Sequence, residues 1–149
     1  MPFVRIDTLQ AGPRRLEALG RAVHEALVET LGVPPEDRFQ VLTDHDGRSG
    51  TLHCDDYLGV HRDEGIAYIA ITMRAGRTPD QKRALYRRIA ELARDHAGTE
   101  PRNVFVTVTE NASIDWSLGE GEAQYAPAGA GDQDALPAAL ETTTAPPAD

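Results

Sequence analysis

The order of secondary structure repeats after 66 residues, and this repeat restricts the fold more than any other feature of the chain. Each half carries a strand pattern, a helical pattern and a second strand pattern: residues 3–6, 13–31 and 38–42, then residues 66–73, 79–97 and 103–109. Two tandem βαβ units predict an α+β fold with one four-stranded sheet and both helices on one face.

The ends of both helical patterns carry recognisable signals. When the halves are shifted by 66 residues, Pro13 falls on Pro79 and Gly32 falls on Gly98. Gly32 fits a C-terminal cap, because glycine adopts the left-handed conformation that ends many helices. Residues 78–81, Thr-Pro-Asp-Gln, form a capping-box pattern with proline at the first helical position. These signals predict helices that begin and end at matching positions in the two halves.

Two glycine-containing segments are predicted as short hairpin excursions from the sheet. Residues 43–62 contain a strand pattern at 51–54, and residues 110–125 contain Gly119 and Gly121, which allow a tight turn. Two long helices cover only one face of a four-stranded sheet. The sequence therefore predicts that the other face is covered by further copies of the chain.

Composition sets the domain boundary and excludes several classes of protein. Residues 126–149 have alanine or proline at half of their positions and no basic residue, which predicts a disordered acidic tail after a single domain at 1–125. The net charge of -9 argues against nucleic acid and anionic membranes as partners.

We find no leader pattern or long apolar run, which favours a cytoplasmic protein. The single cysteine, Cys54, excludes a multi-thiolate metal site, and no metal site is predicted.

Pro2 is the residue with the most informative chemistry. Removal of Met1 would leave the secondary amine of proline as the chain terminus, and α-amino groups titrate near neutrality, at about 7.7–8.0. Burial and nearby cations favour the neutral amine, which is a general base, whereas a nearby carboxylate favours the protonated amine, which is a general acid. A Met-Pro start is also common at ordinary N-termini, so this pattern alone leaves both interpretations open.

Several segments together resemble the tautomerase superfamily, and more narrowly its malonate semialdehyde decarboxylase branch. They are the Met-Pro-Phe-Val start, Gly-Val-Pro-Pro-Glu-Asp-Arg-Phe-Gln at 32–40, Tyr-Leu-Gly at 57–59, Ala-Gly-Arg at 75–77 and Asp-Trp-Ser-Leu-Gly at 115–119. The resemblance covers residues 2–125. It implies a homotrimer that uses no cofactor, with Pro2 in a pocket near a subunit boundary.

The resemblance also implies roles for single residues. Pro2 matches the catalytic proline, Asp37 matches a catalytic aspartate that acts on water or on the proline, and Arg77 matches an arginine that binds the substrate carboxylate. Ala75 stands where the decarboxylase has its second arginine. Arg74 lies three residues before Arg77, which is the spacing of the two arginines in the cis-3-chloroacrylic acid dehalogenases. It would either join Arg77 in binding substrate or face solvent.

Three further residues match an apolar wall of the decarboxylase pocket. They are Trp116, Leu118 and Tyr125, and the last two stand where we would place phenylalanines. Simple packing of the second hairpin would explain the same residues. Thr107 stands where the dehalogenases have a tyrosine, which argues against dehalogenation.

The resemblance therefore implies an enzyme that acts on a small carboxylate-bearing keto or enol compound. With a neutral Pro2 amine it would be a keto–enol tautomerase, an isomerase. With a protonated amine it would be a decarboxylase, a carbon–carbon lyase, or a hydratase of the malonate semialdehyde type. The alternative is a trimeric binding or scaffold module of the same fold without catalysis.

Overall fold

The computed structural model describes residues 1–129, and its elements follow the repeated order. The strands and helices are β1 (Pro2–Leu9), α1 (Pro13–Leu31), β2 (Phe39–His45), β3 (Ala67–Arg74), α2 (Pro79–Ala97) and β4 (Val104–Asn111). Single 3₁₀ turns lie at Pro101–Asn103 and Ser113–Asp115. Residues 1–110 form one compact unit, and the chain from Asn111 onward belongs to a second.

The four strands form one mixed sheet in the order β2-β1-β3-β4. β1 is parallel to β2, with Phe3 opposite Phe39, and antiparallel to β3, with Pro2 opposite Met73. The predicted α+β fold with two βαβ units and a single sheet is confirmed.

Side chains alternate between the two faces of the sheet, because successive residues of a strand point to opposite sides. In β1, Val4 and Ile6 are buried beneath the helices, while Phe3 and Arg5 lie on the other face. One core joins the helix-covered face of the sheet to both helices: Val4, Ile6, Ile69, Ile71, Leu19, Val23, Leu85 and Ile89. Burying each such aliphatic side chain contributes about 1.5–3 kcal/mol.

The opposite face of the sheet exposes large apolar side chains. Phe3, Phe39, Val41 and Phe105 are between 36% and 50% exposed. Neither helix of residues 1–110 packs on this face, because both contribute to the core on the other side. The face is therefore apolar enough to form an interface between copies of the chain.

The helix ends match the sequence signals. Both helices have 19 residues and begin at a proline, and they end at Gly32 and Gly98, whose φ angles are 67° and 65°. The Thr78 hydroxyl accepts a bond from the Gln81 backbone N–H at 3.1 Å, and the Gln81 side-chain oxygen accepts one from the Thr78 backbone N–H at 2.9 Å. The predicted capping box is confirmed.

The start of α1 is held by a carboxylate from the neighbouring strand. The side chain of Asp44 in β2 accepts bonds from the backbone N–H groups of Ala11 and Gly12, both at 2.9 Å, and from the Thr8 hydroxyl at 2.8 Å. Burial raises the pKa of Asp44, but these donors together hold it below its ordinary value.

The two predicted hairpins are wrong in detail. Residues 51–54 form no strand, and their polar groups bond to the neighbouring strands: Tyr68 of β3 donates to the His53 carbonyl, and Thr51 bonds to His45 of β2 at 3.0 Å. Strand-like pairing in this segment is a single bridge between Tyr57 and Val60.

The second excursion is a loop. After β4, residues 112–125 contain a 3₁₀ turn and a tight turn in which the Glu122 N–H bonds to the Gly119 carbonyl at 3.3 Å. Gly119 and Gly121 have φ angles of 140° and 72°, so glycine is needed there as predicted. The tail predicted at 126–149 lies outside the described residues from 130 onward, and the boundary at 125 stays a prediction.

Candidate active site

Three chain segments meet at one end of the sheet. Pro2 is the first residue of β1 and pairs with Met73, the last residue but one of β3. β2 begins at Phe39 beside Phe3, so Asp37, two residues earlier, enters at the same end. The register of the sheet therefore brings Pro2, the end of β3 and the approach to β2 together.

A small cavity at this end is lined by the predicted proline and by the two predicted arginines. Apolar walls come from Leu31, Val33 and Met73, and Met1, Pro2, Arg74 and Arg77 complete the lining. With Met1 in place the cavity holds about 10 Å³, which is roughly the space of one water molecule. Met1 itself occupies the site, because only 5% of its side chain is exposed.

The two arginines give this cavity its positive charge. Arg74 ends β3, and Arg77 precedes the N-terminus of α2. Both side chains are half-buried. Nε of Arg77 is buried without a hydrogen-bond partner among residues 1–129. An unpaired guanidinium N–H beside an apolar wall is a donor available to a carboxylate.

A carboxylate lies beside the N-terminal amine. Asp37 closes a turn in which its N–H bonds to the Pro34 carbonyl at 3.0 Å, and only 14% of its side chain is exposed. Its Oδ2 atom lies 3.4 Å from the Met1 amine. Its Oδ1 atom is buried, with no hydrogen-bond partner in the described part of the chain. Asp37 is thus oriented toward the terminal amine.

These groups form an arrangement suited to acid–base chemistry on an anion. Removal of Met1 would transfer the terminal amine to Pro2 and vacate the space that Met1 fills. The amine would then lie near Asp37 and in the cavity that Arg74 and Arg77 also line. The carboxylate favours the protonated amine and the guanidinium groups favour the neutral one, so their balance decides its role.

The remaining predicted site residues belong to the second unit. Trp116 Nε1 donates to the Asn111 side chain at 2.7 Å. The Leu118 N–H bonds to the Gln124 side chain at 2.8 Å, and Leu118 is 43% exposed. Tyr125 is half-buried. Their role as a pocket wall stays a prediction.

Sequence reasoning missed the apolar part of the cavity. Leu31 and Val33 flank Gly32, the cap of α1, and Met73 is the strand partner of Pro2. The feature that identifies Met73 is the register between β1 and β3, because pairing of the start of β1 with the end of β3 places Met73 next to Pro2. His24 of α1 was not among the predicted site residues, and it contacts the loop that carries Asp37.

The described residues contain neither a metal-binding cluster nor a membrane-spanning helix. Within residues 1–129, no three histidine, cysteine, aspartate or glutamate side chains are grouped so that they could hold a metal ion. The His61 ring bonds instead to the Asp56 carboxylate at 2.8 Å. None of the helices in the described residues is long and apolar enough to span a bilayer.

Comparison with known proteins gives consistent matches. Two family models, both described as tautomerase enzyme, match residues 2–58 and 37–119. The chain is 37% identical to the probable tautomerase YusQ of Bacillus subtilis (strain 168), over 83% of this chain and 98% of that protein.

Solved structures match as well. FG41 malonate semialdehyde decarboxylase inhibited by 3-bromopropiolate superposes with a TM-score of 0.75 and 40% identity, over 83% of this chain and 93% of that chain. A fused 4-OT wild-type symmetric trimer shares the fold with a TM-score of 0.65 and 20% identity, over 80% of this chain and 93% of that chain.

Proposed function

Because this chain belongs to the tautomerase family, we propose that it is a cofactor-independent enzyme for small carboxylate-bearing keto or enol compounds. Its catalytic group is the amine of Pro2, released by removal of Met1. One observation carries the proposal: Pro2, Arg74 and Arg77 line a single cavity. A general acid or base and two carboxylate-binding cations are thereby available to one small molecule.

Arg77 is the principal substrate-binding residue in this proposal. Its unpaired Nε supports a direct bond to a substrate carboxylate, and the planar guanidinium suits the two oxygens of that group. Arg74 lines the same cavity and would neutralise further charge. Fixing the carboxylate orients the adjacent carbon toward the amine.

The position of Asp37 favours decarboxylation over isomerisation. A carboxylate beside the amine stabilises the protonated form, which is a general acid at neutral pH. Protonated Pro2 would polarise the β-carbonyl of a 3-oxo acid while the C–C bond to the carboxylate breaks. The electron pair of that bond forms the C=C bond of an enol, Pro2 donates its proton to the carbonyl oxygen, and carbon dioxide leaves. The enol then takes a proton from water on carbon and returns its hydroxyl proton to the Pro2 amine, which gives the product and restores the protonated amine. The 40% identity to malonate semialdehyde decarboxylase supports this class of substrate.

Isomerisation is the second candidate, and the arginines favour it. Two guanidinium groups beside the amine stabilise its neutral form, which would take a proton α to a carbonyl and return it elsewhere. The arginines would then stabilise the enolate that forms between the two proton transfers. Hydration of malonate semialdehyde, with Asp37 activating water, requires the same protonated amine as decarboxylation.

We also propose that the active form is a homotrimer. The sheet face with Phe3, Phe39, Val41 and Phe105 exposes apolar surface that association would bury. The role of Trp116, Leu118 and Tyr125 as an apolar wall for the substrate stays part of this proposal. The predicted cytoplasmic location is consistent with a soluble enzyme of small metabolites.

The proposal is tested on purified full-length protein. Intact mass establishes whether Met1 is absent, and NMR of ¹⁵N-proline-labelled protein follows the titration of the Pro2 amine. The protein is then incubated with malonate semialdehyde and with phenylenolpyruvate, and products are followed by NMR.

We expect a free Pro2 amine with a midpoint above pH 7 and release of carbon dioxide from malonate semialdehyde. A midpoint well below 7 with ketonisation of phenylenolpyruvate would support the isomerase instead. A free amine with no turnover of either compound would indicate the binding or scaffold module. Protein that retains Met1 is the matched control, because an amide nitrogen can perform neither reaction.

A further inference from the structure

We propose that His24 is a positioning residue that holds Asp37 beside the terminal amine. The inference rests on the proposed function, because it concerns the carboxylate that we assign to the Pro2 amine. His24 lies on α1, and its ring touches the loop that carries Asp37.

The contact is a single short hydrogen bond. Nε2 of His24 lies 2.7 Å from the carbonyl oxygen of Pro35. A carbonyl oxygen only accepts, so Nε2 must carry a hydrogen and donate it. The neutral Nε2–H tautomer and the imidazolium both satisfy this requirement. The His24 ring is half-buried, and its bond to the exposed Pro35 lies at the protein surface.

The rest of the loop shows why this bond matters. Its start is fixed by the bond from the Gly32 N–H to the Val28 carbonyl at 3.2 Å, and its end by the bond from Asp37 to Pro34 at 3.0 Å. Pro35 has no N–H and a fixed φ, so its carbonyl is its remaining backbone group for hydrogen bonding. His24 ties that carbonyl, two residues before Asp37, to a rigid helix.

Loss of the bond should therefore displace the carboxylate. A net hydrogen bond contributes about 0.5–1.5 kcal/mol, which is a population factor of roughly 2 to 12 for the tethered loop. A released turn would carry Asp37 toward solvent, where its charge acts more weakly on the amine. Arg74 and Arg77 stay in place on other segments, so the midpoint of the Pro2 amine should shift to lower pH.

Two variants separate this role from a purely structural one. In His24→Gln the amide nitrogen can reach the position of Nε2 and donate the same bond, whereas His24→Leu keeps the bulk and has no donor. We expect His24→Gln to keep the wild-type midpoint and His24→Leu to lower it by about 0.5 pH unit. If His24→Leu does not fold, His24→Asn replaces it, because its shorter amide does not reach Pro35.

The decisive measurement is a double-mutant cycle with Asp37→Asn, read by ¹⁵N-proline NMR titration. If His24 acts through Asp37, His24→Leu has no further effect on the midpoint in the Asp37→Asn background. The proposal is overturned if His24→Leu leaves the midpoint unchanged, or if its shift persists without Asp37. It is also overturned if His24→Gln keeps the midpoint but loses all turnover, since His24 would then be a proton donor or acceptor itself.

This experiment does not require turnover. The amine titrates whether or not a substrate is known, so failure of the proposed enzyme activity leaves the result on His24 readable. Conversely, an unchanged midpoint in His24→Leu would overturn the role of His24 alone. The effect of Asp37→Asn on the Pro2 amine would still be measured independently.

Discussion

Replacing Asp37 with asparagine removes one negative charge from beside the terminal amine. Oδ2 of Asp37 lies 3.4 Å from the Met1 nitrogen, and successive backbone nitrogens are at most about 3.7 Å apart, so Oδ2 lies within about 7 Å of the Pro2 nitrogen. At that distance the attraction is about 2.4 kcal/mol for an effective dielectric constant of 20 and about 0.6 kcal/mol in water. Because only 14% of the Asp37 side chain is exposed, we expect the midpoint to fall by about 1 pH unit.

The assay is the ¹⁵N-proline NMR titration of protein from which Met1 has been removed. Glu36→Gln is the matched control, because it makes the same change of charge one residue away on an exposed side chain. We expect its shift to be within about 0.3 pH unit, since exposed charges are screened. The reasoning is refuted if Asp37→Asn shifts the midpoint no more than Glu36→Gln, or shifts it upward.

Three further predictions concern substrate binding, acid stability and the core. Arg77→Gln should lower kcat/KM for a carboxylate substrate about 10- to 100-fold, with Arg77→Lys between it and the wild type; equal activity of all three in steady-state kinetics would contradict the assigned contact. The pKa of Asp44 is lowered by folding, so its stabilisation is present above the unfolded-state value of about 3.9 and disappears as the pH falls through the folded-state value. The difference in melting temperature between wild type and Asp44→Asn should therefore shrink below about pH 4, and a constant difference from pH 6 to pH 3 would exclude this account. Ile6→Ala, at a position with no exposure in a central strand, should lower the free energy of unfolding by about 2–5 kcal/mol in urea denaturation. Ile114→Ala, at a 63% exposed position, should change it by less than about 0.5 kcal/mol, and similar losses at both positions would contradict the core.

The helices were the most predictable elements, because their signals are local. Pro13 and Pro79 begin the two helices, and Gly32 and Gly98 end them, as the sequence indicates. Each signal works through backbone groups within about four residues, so no knowledge of the rest of the fold is needed. The four strands follow from their apolar patterns once the helices are placed.

The loops were less predictable, because their conformation depends on individual side-chain hydrogen bonds that no sequence pattern marks. The pattern at residues 51–54 is typical of a strand, but a strand needs a neighbour, and here Tyr68 and His45 bond to the segment instead. In the second unit, the side chain of Gln124 bonds to both Leu118 and Gly119 and so closes a loop where a hairpin was expected. Neither contact has a local signature.

The candidate site was predictable as a set of residues but not as a cavity. The resemblance named Pro2, Asp37, Arg74 and Arg77 individually. The side of the sheet on which Arg74 lies was undecided, and it depends on the register that pairs Pro2 with Met73. The contact of His24 with the Pro35 carbonyl depends on the course of the loop after α1.

The burial of Met1 bears on when the protein matures. Its side chain is almost inaccessible and its amine is paired with Asp37. A folded molecule that still carries Met1 therefore presents no accessible N-terminus to an aminopeptidase. If Met1 is removed, as proposed, we expect its removal to occur during synthesis, before β1 is incorporated into the folded sheet. A molecule that folds before Met1 is removed would keep Met1 and have no free Pro2 amine. The rate of Met1 removal relative to the rate of folding would then set the fraction of molecules with a free Pro2 amine.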